Sequence, residues 1–231
     1  MMTAWRLRAI VRKEMLIVCA IIFAIRIYQY FTSASVAIQD LYLAITPISL
    51  ATFLLAPLFV LPLTKIVAAF TNFVLAIRVK TSFSLTTCYC FFVFLAALAY
   101  VLIVNVTAFA LMFVLGVIPF TYSLQIPITL LCQTLFYEIC ALLFYLVFSL
   151  ARKSFVAYIL LLCYIVWDYM TFFIPAKLPM IGWGLTQFSV QELNYAQVTS
   201  NLSFLVFITE ALIILNLFVN RKQEYIESIG V

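Results

Sequence analysis

The chain has 231 residues, of which 68% are hydrophobic and only 9% charged; with a mean hydropathy of +1.23, this composition excludes a water-soluble globular fold. Thirteen Lys and Arg against eight Asp and Glu give a net charge of +5. The basic residues stand in small groups at the ends of apolar runs, a pattern that sets membrane topology and needs no nucleic acid to explain it.

Residues 3–14 place Leu7, Ile10 and Val11 on one helical side and Arg8 with Arg12 on another, behind Trp5. This predicts a helix lying on the cytoplasmic surface, with an unstructured basic tail as the alternative. The first span follows at about 15–31. The basic start, the apolar stretch and Ser35-Val-Ala37 look like a signal sequence, but Arg26 interrupts an apolar region longer than the usual roughly 7–15 residues, so a retained anchor is expected. Arg26 itself either snorkels outward or pairs with an acidic group on another helix.

The second span, about 43–63, contains Pro47, Pro57 and Pro62, each removing a backbone donor. Such breaks survive in a membrane where neighbouring helices, side chains or water satisfy the freed carbonyls. From Leu41 to Ile77 only Lys65 is charged. That is more than the ~20 residues one span needs, with nothing left for a turn between two. A hairpin would also strand Arg78 and Lys80 on the face opposite the other basic groups. One span, then an interfacial helix ending at Arg78–Lys80 on the cytoplasmic side, is the economical reading.

The third span, about 88–115, has Asn105 near its middle and ends at Gly116-Val-Ile-Pro119. Asn105 is read as bonding to a neighbouring helix, with substrate contact as the lesser alternative. The fourth span, about 126–150, carries Glu138 and returns at Arg152-Lys153; the fifth, about 155–173, has Trp167 and Asp168 near its outer end. Pro175 to Ser200, with Pro179 and Gly182-Trp-Gly184, is too broken for a span and predicts a re-entrant or interfacial hairpin over the outer mouth. The sixth span, about 202–219, has Glu210 in its middle and ends at Arg221-Lys222. Asn105-Val-Thr107 and Asn201-Leu-Ser203 match a glycosylation pattern without being informative.

The six cysteines, Cys19, Cys88, Cys90, Cys132, Cys140 and Cys163, lie in or beside apolar runs with no CxxC spacing, and read as small apolar core residues. Cys88-Tyr-Cys90 is the pair open to a soft metal, but no metal site is predicted. The absence of histidine removes the usual general base and the triads built on it.

The expected architecture is an all-α polytopic membrane protein forming a single transmembrane domain over residues 1–231. It has six transmembrane helices, an N-terminal interfacial helix, a cytoplasmic element between helices 2 and 3, and an outer re-entrant hairpin between helices 5 and 6. With Asn72-Phe-Val-Leu-Ala-Ile-Arg-Val-Lys-Thr-Ser82 before the third span and Asn220-Arg-Lys-Gln-Glu224 at the close, this topology resembles the membrane subunit of bacterial ABC-2 type transporters. The resemblance implies a permease in the bacterial plasma membrane, both termini cytoplasmic, paired with a second identical or sister permease. It also implies a coupling helix docked on a separate ABC ATPase at Arg78, Val79, Lys80, Thr81, Ser82 and Phe83, with Arg152 and Lys153 as a lesser inner contact.

ATP and Mg would then belong to the partner ATPase, with no cofactor on this chain. Four glycines in all leave no room for a phosphate-binding loop, so no enzymatic activity is expected here. A small outer region and a bundle with 23 Phe and 13 Tyr favour export of an amphipathic or apolar substrate such as a peptide. Asn105, Glu138, Asp168 and Glu210 are the substrate-path candidates. The alternative is an ion- or proton-coupled carrier using buried Glu138 and Glu210 together with Asp168, although no internal repeat is detectable. An intramembrane enzyme pairing the two glutamates is a third reading. Both glutamates would otherwise pair with Arg26 or with hydroxyls and hold helices in register.

Overall fold

Long apolar stretches without Gly or Pro propagate as helix, because every backbone donor then finds a carbonyl one turn back and no interior break is imposed. The computed structural model describes residues 4–33, 48–64, 82–115, 125–151, 153–171 and 195–229, and the regular structure among them is entirely helical. The described residues form six helices: α1 (Ala4–Ser33), α2 (residues 48–64), α3 (Ser82–Val114), α4 (Gln125–Ala151), α5 (Ser154–Thr171) and α6 (Tyr195–Ile229). Three contain segments long and apolar enough to cross a membrane: Thr86–Val114, Pro127–Ala151 and Thr199–Arg221. The chain is therefore a membrane protein.

Three boundaries differ from the sequence-based expectation, all for one reason. Hydropathy marks the apolar slab, whereas a helix continues until its backbone ladder is broken. Thus α1 is one helix of 30 residues, with no break between a surface helix and a span. Helix α3 begins at Ser82, so Ser82 and Phe83 belong to its first turn. Helix α6 has 35 residues, and Tyr195–Ser200, expected in the outer hairpin, form its start. The remainder of that hairpin, the interfacial element from Lys65 to Thr81, and Arg152 lie outside the described residues.

Helix α2 shows what its prolines do. Residues Ala51–Leu55 form a π-helical turn immediately before Pro57, whose missing N–H and bulky ring oppose a regular α ladder there. The Leu55 carbonyl at the end of that turn accepts a 2.8 Å hydrogen bond from Tyr100 Oη on α3. A neighbouring helix thus supports the disturbed backbone, as the sequence led us to expect.

Helix α4 is the axis of the fold. It packs against α3, α5 and α6, while α3 also contacts α6 and α1, and the π-helical turn of α2 meets α5. Every residue from Cys132 to Leu142 is buried, the signature of a helix enclosed on all sides. Phe59 of α2, Tyr100 of α3 and Tyr137 of α4 close a ring of aromatic contacts, with centroids 5.1 Å (Phe59–Tyr100), 5.2 Å (Phe59–Tyr137) and 5.0 Å (Tyr100–Tyr137) apart. Edge-to-face and tilted pairs of this kind contribute about 0.5–1.5 kcal/mol each beyond their burial.

Specific contacts also fix helix directions. Asn216 of α6 bonds to Leu142 of α4, and Asn220 to Tyr145, so the numbering rises together and the two helices run parallel. Tyr89 meets Ala141 while Asn105 meets Gln133, so α3 runs antiparallel to α4. Helix α5 must reverse after α4, since only residues 152 and 153 separate them. The Ala157 N–H donates to the Lys153 carbonyl and opens α5 immediately.

Candidate functional site

An apolar bundle offers few ways to place polar groups, so the buried ones define the candidate site. They fall into two layers. The first is built around Arg26 of α1, which is 5% exposed and not turned outward. Its guanidinium donates from Nη1 to Gln29 Oε1 at 2.8 Å, from Nη2 to the Val104 carbonyl at 3.0 Å, and from Nε to Thr107 Oγ1 at 3.4 Å. Thr107 Oγ1 in turn donates to the Val104 carbonyl at 2.9 Å. Desolvating a guanidinium is costly unless its fork of donors is filled, and α3 supplies the acceptors. The arrangement ties α1 to α3.

One helix further in, Asn105 Nδ2 donates to Gln133 Oε1 at 2.6 Å and to the Val101 carbonyl at 2.9 Å. This is the interhelical role read from the sequence for Asn105, and it ties α3 to α4. Thr129 Oγ1 on α4 and Asn201 Nδ2 on α6 are also buried, without a hydrogen-bond partner among the described residues. Asn105 and Asn201 are buried within helices, which places both out of reach of glycosylation.

The second layer lines the groove where α3, α4 and α6 meet. Asn220 Nδ2 donates to Thr86 Oγ1 at 2.7 Å and to Tyr145 Oη at 3.2 Å. The Tyr145 ring stacks on Tyr89 with centroids 4.0 Å apart, and Tyr89 Oη reaches the Ala141 carbonyl. Asn216 Nδ2 donates to the carbonyls of Leu212 and Leu142, at 2.9 and 3.2 Å, leaving Asn216 Oδ1 buried without a donor. Glu138 lies two turns before Tyr145 on the same face of α4 and is 5% exposed. The Cys90 thiol on α3 is within electrostatic reach of it.

The acidic candidates are therefore not brought together. Asp168 is buried on the other side of α4, within electrostatic reach of Cys140 and Tyr164. Glu210, expected to be buried, is exposed on α6. It shares an outward stripe with Phe207, Ile214 and Phe218, while the buried stripe of that helix carries Asn201, Leu205, Thr209, Leu212 and Asn216. Helical spacing explains the correction: Thr209 and Glu210 are adjacent in sequence and so about 100° apart around the axis, and Thr209 takes the inward position.

Of the coupling candidates, Arg78, Val79, Lys80, Thr81 and Arg152 lie outside the described residues, and Ser82 and Phe83 open α3. Lys153 is exposed where α4 gives way to α5. Cys88 and Cys90 differ in burial, Cys88 being exposed and Cys90 buried, and no group of three metal-ligating side chains occurs among the described residues. Sequence reasoning passed over Gln29, Gln133 and Asn216. Each had a signal in its spacing: Gln29 one turn after Arg26, Gln133 one turn after Thr129, and Asn216 one turn before Asn220.

No protein-family model matches the chain, and neither a curated protein nor a solved structure is significantly similar to it.

Proposed function

We propose that this chain is the membrane subunit of an ATP-driven transporter of the ABC-2 type. In this reading it crosses a bacterial plasma membrane six times, keeps both termini in the cytoplasm, and works with a second permease and a separate ABC ATPase. One observation supports the reading most: α4 and α6 run parallel, so exposed Lys153 and Arg221 stand at the same end of the bundle. Basic residues gathered at one end mark a cytoplasmic face, the face an ATPase would dock on. The shorter apolar segments Leu16–Phe31, Thr52–Thr64 and Ser154–Met170 would reach roughly 20–26 Å at ~1.5 Å per residue. Flanking helical residues would complete a hydrocarbon core of about 30 Å.

The packing of α4 also bears on the route. With Cys132–Leu142 enclosed on every side and Tyr89 stacked on Tyr145, the centre of this chain is filled. An amphipathic peptide or similarly apolar cargo would pass along a surface shared by two permeases. The deciding experiment places single cysteines at Arg78, Lys80 and Phe83 in a cysteine-depleted protein and seeks crosslinks to the co-expressed ATPase. A specific crosslink lost on charge reversal of Arg78 and Lys80 is expected. Failure to crosslink in a folded, inserted protein would sink the assignment.

A further inference from the structure

We propose that α2 is a latched hinge: residues 48–55 swing about Pro57 against a fixed segment, 56–64, and the hydrogen bond from Tyr100 Oη to the Leu55 carbonyl holds the closed position. This goes beyond the transport reading and does not depend on it.

The backbone is built to bend at this place. The π-helical turn Ala51–Leu55 bonds five residues on instead of four, which interrupts the regular ladder. Pro57 follows at once and offers no N–H to the carbonyl of Phe53 one turn back. A π-turn and a proline are each a recognised cause of a helix kink, and here they fall within a few residues of one another.

The two sides of the bend are held very differently. On the far side Ala56, Leu58, Phe59, Val60 and Leu63 are all buried, and Phe59 closes the aromatic ring with Tyr100 and Tyr137. On the near side Ser49, Phe53 and Leu54 are exposed. Phe53 meets the Tyr169 ring of α5 edge to face, with centroids 4.7 Å apart. The 2.8 Å bond to Tyr100 stands at the junction, with its donor anchored in the fixed aromatic ring and its acceptor at the end of the moving segment. That placement makes it a latch.

Opening parts α2 from α5 at the Phe53–Tyr169 contact. Thr52 is 4% exposed although it lies on the moving segment, so opening brings a hydroxyl onto the newly formed surface. Eight residues span ~12 Å at ~1.5 Å per residue, and a change of about 20° in the kink displaces the far end by roughly 4 Å.

The test is double electron–electron resonance on the full chain in lipid nanodiscs, with the six native cysteines replaced. One spin label stands at exposed Phe207 on α6, the other at exposed Ser49 on the moving segment or at exposed Leu61 on the fixed one. Tyr100→Phe keeps the ring contacts to Phe59 and Tyr137 and removes only the latch. It is expected to raise the ratio of displaced to closed Ser49 distances roughly two- to twelvefold, the effect of losing one hydrogen bond, while the Leu61 distance stays as it is. Phe53→Ala removes the contact to Tyr169, leaves Tyr100 in place and is expected to shift the same population. An unchanged Ser49 distribution in folded Tyr100→Phe, or in Phe53→Ala where Tyr100→Phe does not fold, would overturn the proposal. So would an equal displacement at Leu61, since α2 would then move as one rod.

Discussion

Asn105 and Gln133 show how a single amide fixes a helix pair in an apolar medium. Lipid tails are as apolar as Leu, so packing alone does little to choose one rotational setting of α3 on α4. The 2.6 Å bond between the two side chains does choose, because any other setting would leave an amide in hydrocarbon. Asn105→Ala should lower the unfolding free energy by about 1–2 kcal/mol, measured by reversible denaturation in mixed micelles. Adding Gln133→Leu should then cost less than the same change in the wild-type background, since the partner bond is already gone. Strictly additive effects would show that the contact holds nothing. Asn105 was legible as an interhelical donor from its place in an apolar run. Its acceptor was not, because Gln133, Thr129 and Glu138 all lie in one run and only three-dimensional register selects among them. For Arg26 both expected options kept the charge paired or wet. Among its partners are the Gln29 side-chain carbonyl, the Val104 backbone carbonyl and the Thr107 hydroxyl, acceptors that carry no charge signature in the sequence.

Among the elements, α6 is where sequence and structure part most clearly. The segment was recognisable from hydropathy alone, yet its two faces were not, because apolar residues occupy both sides and only Asn201, Thr209 and Asn216 mark the inward one. Outward, Glu210 stands among Phe207, Ile214 and Phe218. A carboxylate at the centre of a lipid-facing span costs roughly 2.5–3.5 kcal/mol on insertion scales. Glu210→Leu should therefore insert and fold at least as well as the wild type, read as yield of monodisperse protein and as thermal stability in nanodiscs. A variant that loses assembly or transport while each chain stays folded would instead reveal a second helix covering that stripe. The contrast with Asn216→Leu, which removes a buried bond to α4 and is expected to destabilise the chain by about 1–2 kcal/mol, makes the assignment of faces testable in one experiment. The extra length of α1, α3 and α6 has a related cause. Their apolar cores end where the slab ends, but nothing in Ala4–Ser33 or Ser82–Val114 breaks a helix, so the ladder continues into more polar sequence.

At the scale of the molecule, direction is the property that links packing to topology. Helix α4 lies parallel to α6 through Leu142–Asn216 and Tyr145–Asn220 and antiparallel to α3 through Tyr89 and Asn105. These contacts require Lys153 and Arg221 to lie on one side of the bilayer regardless of how many times the remaining chain crosses it. Single cysteines at the two positions, in a background where the six native cysteines are replaced, should both resist a membrane-impermeant maleimide in intact cells and both react in inverted vesicles. The native cysteines Cys88 and Cys163 are exposed and tolerate replacement most readily, whereas buried Cys90, Cys132 and Cys140 call for Ala or Ser to limit cavity cost. Labelling of one position from outside and the other from inside would be incompatible with a parallel α4 and α6. The groove that holds Asn216 against Leu142 would then not exist. Labelling of both from outside would preserve the fold but invert it, moving the basic end away from any cytoplasmic ATPase and removing the support for ATP-driven transport.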